Sequence, residues 1–180
     1  MDTSNSENAP IEIVPYCDHW PALFASELVL LQTVLSPWLV ADIEHVGSTA
    51  VVGLHAKPII DIMAPVRDLK SSRLAIESAQ TANYCYFPYK SNEMHWFCKP
   101  TPAVRTHHLH LVPWKSRLWQ DRLVFRNELR LSRSLAMEYT DLKLRLAAQF
   151  PFDREAYTEG KSTFVLSVIE SASASLRNNT

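Results

Sequence analysis

Apolar residues recur along this chain with two different periods, and each change of period marks an element. Ile11 to Tyr16 alternates apolar and polar, the pattern of a short strand. Trp20, Phe24, Leu28, Leu31 and Leu35 follow at helical spacing, with Asp18 as N-cap and Pro21 in the first turn. Leu39 to Val46 reads as a strand running into Gly47-Ser48. Pro58 to Val66 is apolar with prolines only near its ends, as a buried strand requires. Asp68 to about Asn83 fits an amphipathic helix. Three aromatic, β-rich stretches follow, Tyr84 to Phe87, Met94 to Lys99 and Val104 to Val112, expected as antiparallel strands.

From Ser116 onward the period is helical. Leu118, Leu123, Phe125 and Leu129 mark one helix, and Leu135, Tyr139, Leu142, Leu146 and Phe150 a second. A third is expected from near Asp153, past Gly160, to about Ser173. Mixed elements first and helices last predict an α+β domain with a helical C-terminal cap. One domain over residues 11–171 is expected, between flexible Ser/Asn-rich ends at 1–10 and 172–180.

Charge narrows the function classes. Eighteen Lys and Arg against nineteen Asp and Glu leave a formal charge of −1. Without a large single-sign field, bulk electrostatic binding to nucleic acid or to an anionic membrane is not expected. A local basic pocket remains open. No apolar run approaches the roughly 18 residues of a membrane span, and the N-terminus lacks a basic-plus-apolar leader pattern. Cys17, Cys85 and Cys98 form no CxxC pair, so they read as free thiols of a reducing compartment. A soluble, cytoplasmic protein is the expectation.

Glycine is scarce, at three in the whole chain, and two of the three, Gly47 and Gly53, share one short segment. At the end of a strand, Gly47-Ser48 lets backbone amides face a ligand closely, and Ser48 or Thr49 adds a hydroxyl donor. Asp61 lies within the apolar strand that follows, on one face with Ile59 and Met63. A carboxylate in such a strand is costly unless it is paired, hydrogen-bonded or bound to metal. Two readings fit: Asp61 is held by Lys57 or by turn amides, or it serves a site.

Arg105 to Leu111 carries a second constellation. Alternation puts Thr106, His108 and His110 on one face, with Leu109 and Leu111 opposite. Two histidines at i and i+2 on a strand can share a metal ion, or one can move a proton. They can equally be hydrogen-bonded and structural. In the C-terminal half, Arg105, Arg126, Tyr157 and Lys161 are candidates to converge on an anion. Arg122, Arg130, Arg133, Glu138, Asp141, Lys143 and Arg145 read as solvated helix faces, a reading equally open for Arg126. Gly160 costs a helix about 1 kcal/mol relative to Ala, which a helix crossing or another close approach would explain.

These residues carry a resemblance. Ile13-Val14-Pro15-Tyr16 with Trp20-Pro21, Glu44 to Val51, Gly53-Leu54, Ala56 to Ile62, Arg105 to Leu111, Phe125-Arg126 and Tyr157 to Ser162 together resemble the GrpB-like family. Members of that family also occur fused behind dephospho-CoA kinase. The resemblance spans about Ile13 to Ile169. It implies a nucleotidyltransferase-like fold: a small mixed sheet, helices on one side and a helical C-terminal part.

In that scheme Gly47 and Ser48 match the turn that holds nucleotide phosphates, and Asp61 matches the first metal-binding carboxylate. Two departures follow. Met63 stands where a second carboxylate belongs, and the later strand offers His108 and His110 rather than Asp. A thioether cannot replace a carboxylate for Mg²⁺, which prefers oxygen ligands.

The expectation is a divergent metal-assisted transferase acting on a nucleotide or phosphorylated small molecule. Asp61, His108 and His110 would hold one divalent ion, Mg²⁺, Mn²⁺ or Zn²⁺, and do the catalytic work. Gly47, Ser48, Thr49 and Lys57 would cradle phosphate, with Arg105, Arg126, Tyr157 and Lys161 completing the pocket. The alternatives are a catalytically inactive module binding a nucleotide or other anion, and a protein whose polar cluster is structural.

Overall fold

A computed structural model describes residues 10–178. The expected flexible N-terminus, up to residue 9, lies outside the described residues.

The N-terminal part alternates helix and strand: α1 (Trp20–Val34), β1 (Glu44–Val46), a single 3-10 turn (Ser48–Ala50), β2 (Ile60–Val66), α2 (Ala75–Thr81), β3 (Cys85–Phe87), β4 (His95–Pro100) and β5 (Arg105–Pro113). The remainder is helical: α3 (Arg117–Leu131), α4 (Arg133–Gln149), α5 (Arg154–Glu159) and α6 (Ser162–Asn178). The five strands form one mixed sheet in the order β1-β2-β5-β4-β3. Only β2 and β5 run parallel, and the other neighbours are antiparallel.

Strand alternation sorts the side chains. Ile60, Ile62, Ala64 and Val66 of β2, Phe97 of β4, and Leu109 and Leu111 of β5 form the main core with Trp20, Leu31 and Leu35 at α1 and Ala75 and Ala79 of α2. The opposite face carries Asp61, Met63, His108 and His110. Its apolar end is closed by α3, through Trp119 packed with Val46, Met63, Met94 and Val112. α1 and α2 therefore cover one face, and the helical C-terminal part folds over one end of the other.

Several elements are shorter than their apolar patterns. Ile11 to Tyr16 is not a strand. Only Val14 bridges, exchanging backbone bonds of 2.9 and 3.0 Å with Ala56, and Pro15 has no N–H to continue. Of Leu39 to Val46, only the last three residues pair as a strand, while Leu39 makes an isolated bridge to Val66. Asp68 does not start a helix. Its carboxylate accepts from Ser71 N and Oγ, both at 2.7 Å, and Ser72 Oγ donates to its carbonyl, so a polar turn delays α2. Lys99 and Arg105 each lie at the edge of a β4–β5 hairpin whose register shifts between Lys99 and Pro100.

The last expected helix is two. Asp153 caps α5 through Glu155 N and Ala156 N, and the chain breaks at Gly160-Lys161 before α6 begins. A Cβ on Gly160 would stand 2.5 Å from Leu146 Cδ2, so the glycine answers the close approach of α4. α6 runs on to Asn178, past the expected end near Ser173. No helix of the described residues is long and apolar enough to cross a membrane.

Candidate functional site

The pairing of β2 with β5 builds the site. Asp61 lies in register with His108 and Met63 with His110, on the face away from the main core. Asp61 Oδ1 is 3.0 Å from His108 Nδ1 and 3.7 Å from His110 Nε2. The three residues each offer a ligand atom within 4.8 Å of the others. Asp61 keeps 30% of its side-chain surface exposed, against 15% for His108 and 6% for His110, so the group opens outward through the carboxylate.

The hydrogen bonding around His110 decides what it can do. Its Nδ1 faces Met94 Sδ at 3.3 Å. A thioether only accepts, so Nδ1 carries the proton and Nε2 of the neutral ring presents a lone pair. That lone pair faces a carboxylate oxygen, and Nε2 has no hydrogen-bond partner although it is buried. His108 Nε2 is likewise buried and unpartnered. Burial, and then the positive charge of Arg122, push the His110 imidazolium down to about 3, which keeps the ring neutral against the pull of Asp61. Burial works to raise the Asp61 carboxyl, but the hydrogen bond from His108 Nδ1 outweighs it and holds the carboxyl well below the usual range. An ionised carboxylate and a neutral imidazole facing each other by their lone pairs are what a divalent cation would join. Two imidazoles and one carboxylate suit Zn²⁺ better than Mg²⁺.

Gly47 seals the other side of Asp61. Its φ of +71° and ψ of −172° lie in a region that is essentially glycine's alone. A Cβ there would stand 3.0 Å from both Cβ and Cγ of Asp61. Ser48 follows, and its Oγ accepts from Lys143 Nζ at 3.1 Å.

Lysines gather on that side. Lys143 also donates to the carbonyl of His55. Lys57 and Lys161 both stand over the ring of buried Tyr157, at 4.9 and 4.4 Å from its centroid. Among the described residues none of the three pairs with a carboxylate within salt-bridge distance. Burial, and then neighbouring Lys161, push Lys143 down to about 7. Burial, and then Lys57, push Lys161 down to about 8, with Asp61 opposing. Burial also lowers Lys57. Three crowded, unpaired ammonium groups are an arrangement that an anion would stabilise.

Other expected contacts are engaged elsewhere. Thr49 is buried, near His45 Nε2 at 3.0 Å and donating to Ile59 O at 3.1 Å, which ties the 3-10 turn to the start of β2. Arg126 is buried and donates to Glu44 Oε2 at 2.6 Å and to His45 O at 2.9 Å, fastening α3 to β1. Arg105 donates to Pro102 O at 2.9 Å and lies 5.4 Å from the centre of the Trp96 ring. Trp96 in turn sits 5.1 Å from the His108 ring.

Two residues read as solvated are not. Lys143 is buried, and the spacing of Tyr139, Lys143 and Leu146 on α4 put it on the apolar stripe. Arg122 is half-buried and raises the local positive potential at His110. It lies three residues after buried Trp119 and four before buried Arg126, again on the inward stripe of its helix. A cleft of about 510 Å³ between α4 and α6, lined by Glu138, Asp141, Arg145 and Phe164 among others, contains none of the cluster's ligand or lysine residues.

The family model described as "GrpB protein" matches residues 10–171. The chain belongs to the GrpB family. It is 38% identical over 181 residues to the UPF0157 protein PA4798 of Pseudomonas aeruginosa, covering 97% of this chain and 73% of that protein. It is 34% identical to the glutamate-rich protein GrpB of Alkalihalophilus pseudofirmus, covering 85% and 90% of the two. The conserved protein GrpB from Enterococcus faecalis superposes with a TM-score of 0.80 at 29% identity, covering 89% of this chain and 96% of that one. More distantly, the Cid1 poly(U) polymerase matches with a TM-score of 0.51 at 11% identity, over 74% of this chain and 42% of the polymerase. That likeness is one of fold, and with the mixed five-stranded sheet it makes the GrpB fold nucleotidyltransferase-like.

Proposed function

We propose that this GrpB-family protein is a metal-assisted transferase acting on a nucleotide or a phosphorylated small molecule. The observation that carries the reading is the unpartnered His110 Nε2 facing Asp61 Oδ1 at 3.7 Å, beside His108. Asp61, His108 and His110 would hold one divalent ion, and their nitrogen-rich donor set favours Zn²⁺ over Mg²⁺. The ion, when bound, supplies a Lewis acid for a phosphoryl oxygen.

The chain's own residues do the rest. Lys57, Lys143 and Lys161 bind the phosphate oxygens, and Gly47 lets the Asp61 carboxylate pack against the turn that precedes Ser48. Ser48 Oγ, fixed by Lys143, orients toward the same anion. Asp61 stays ionised and His110 neutral throughout the physiological range, so both remain competent ligands.

Met63 favours a second reading. It is fully buried where the two-metal scheme places a carboxylate, so the protein would bind its nucleotide or anion without transfer. The experiment is incubation of metal-loaded protein with labelled nucleoside triphosphates under Mg²⁺, Mn²⁺ and Zn²⁺, beside a thermal-shift series with the same ligands. Turnover supports the transferase, and ligand stabilisation without turnover supports the binding module. Neither turnover nor stabilisation overturns both.

A further inference from the structure

Cys85 and Cys98 are direct partners in the antiparallel ladder of β3 and β4. Residues opposed in such a ladder have Cα atoms about 4.5 or 5.5 Å apart, according to the type of pair, and their side chains leave the same face. Both spacings fall within the roughly 4.4–6.8 Å that a disulfide spans. Both cysteines are free thiols. β3 is one of the sheet's two edge strands and pairs over three residues, so only one neighbour holds its backbone against adjustment.

We propose that Cys85 and Cys98 are a peroxide-responsive thiol pair that closes reversibly into an intramolecular disulfide. Their exposures assign the order. Cys85 is half-buried and donates to Pro100 O at 3.4 Å, so it meets the oxidant, whereas Cys98 is fully buried behind it. Cys85 loses its proton to solvent and its sulfur attacks the O–O bond of a hydroperoxide, giving a sulfenic acid and releasing water or an alcohol. The Cys98 sulfur then attacks the Cys85 sulfur. The S–S bond forms, the S–O bond breaks, and the hydroxyl leaves as water with the Cys98 proton. Two thiols are oxidised by two electrons in all, and the peroxide is reduced by the same two. Cys17 lies on the segment before α1, beside His19, and takes no part.

The pair is not incidental to the rest of the sheet. Cys98 is also the register partner of His108 across β4–β5, so the new bond ties the edge strand to the neighbour of a candidate ligand strand. Closure of the thiol pair needs no metal or substrate at that site.

The full chain, treated with hydrogen peroxide and then alkylated after unfolding, tests it by intact mass and peptide mapping. The expected result is loss of two of the three titratable thiols, a mass before alkylation lower by two hydrogens, a peptide linking Cys85 to Cys98, and full recovery with a thiol reductant. Cys17→Ser is expected to behave as wild type. Cys98→Ser is expected to stop at a Cys85 sulfenic acid that dimedone traps. Cys85→Ser, at a half-buried edge position, keeps the test available if the buried substitution prevents folding, and is expected to abolish the two-thiol loss. Linkage through Cys17, covalent dimers, or over-oxidation of Cys85 with Cys98 still alkylatable would each overturn the proposal.

Discussion

Gly47 packs directly against the Asp61 carboxylate: a Cβ at 47 would lie 3.0 Å from Asp61 Cβ and Cγ. The glycine therefore sets where the carboxylate stands, in addition to giving the turn its positive φ of 71°. Gly47→Ala is expected to lose about 1–3 kcal/mol from the backbone conformation alone. Displacement of Asp61 adds to that loss. Denaturant unfolding reads the stability, and metal titration of the folded fraction reads the site. The variant is expected to bind metal more weakly than wild type even where it remains folded, and unchanged metal binding would remove Gly47 from the site.

Lys143 gives a pH signature. Its folded pKa of about 7 lies below the ordinary lysine value of 10.5. Between those two values the unfolded chain binds more protons than the folded one, so stability from this group rises with pH across that window. Below about 7 the buried ammonium carries its full desolvation cost, and an added polyanion should then stabilise most. Lys143→Met is expected to flatten the stability–pH curve between pH 7 and 10 and to reduce stabilisation by pyrophosphate at pH 6. Thermal unfolding across that range, with and without pyrophosphate, makes the comparison. A curve as steep in the variant as in wild type would assign the pH dependence to other groups.

Arg126 and Gly160 are expected to matter for folding and not for the ion. Arg126→Ala removes the partner of Glu44, whose side chain is 32% exposed, and the donor to His45 O, and losing such charge-assisted bonds costs about 1.5–3 kcal/mol. Gly160→Ala presses a methyl onto Leu146 and is expected to cost about 1–3 kcal/mol. Both variants, where folded, are expected to bind metal with wild-type stoichiometry. A loss of the ion in folded Arg126→Ala would place this arginine at the site after all.

How much of this was legible in the sequence depended on range. β2 and β5 announce themselves, because a buried strand needs an apolar run and a half-buried one alternates. Asp61, His108 and His110 stood out for the same reason, as polar residues that interrupt those patterns. Their meeting was carried by the resemblance rather than by the pattern, since it rests on a parallel register between residues 47 positions apart. Thr49 and Arg126 show the converse difficulty. A hydroxyl and a guanidinium look alike in sequence whether they face a phosphate or hold the fold's own carbonyls. Lys143 was hidden by its charge, although its spacing from Tyr139 and Leu146 placed it inward. The apolar pattern from Asp68 extends beyond the helix because the Asp68 carboxylate bonds Ser71 locally, which competes with helical pairing.

Metal titration of the chelator-treated protein tests the central claim most directly. Zn²⁺ and Mn²⁺ are titrated calorimetrically into wild type, His110→Ala and Asp61→Asn, with folding confirmed by circular dichroism. The expected result is one ion per chain in wild type and an affinity weaker by roughly 100-fold or more in both variants, since even a partner behind a metal ligand is worth about 10–100-fold. No saturable binding in folded wild type, or binding that both substitutions leave unchanged, would contradict the assignment of Asp61, His108 and His110 as a metal site.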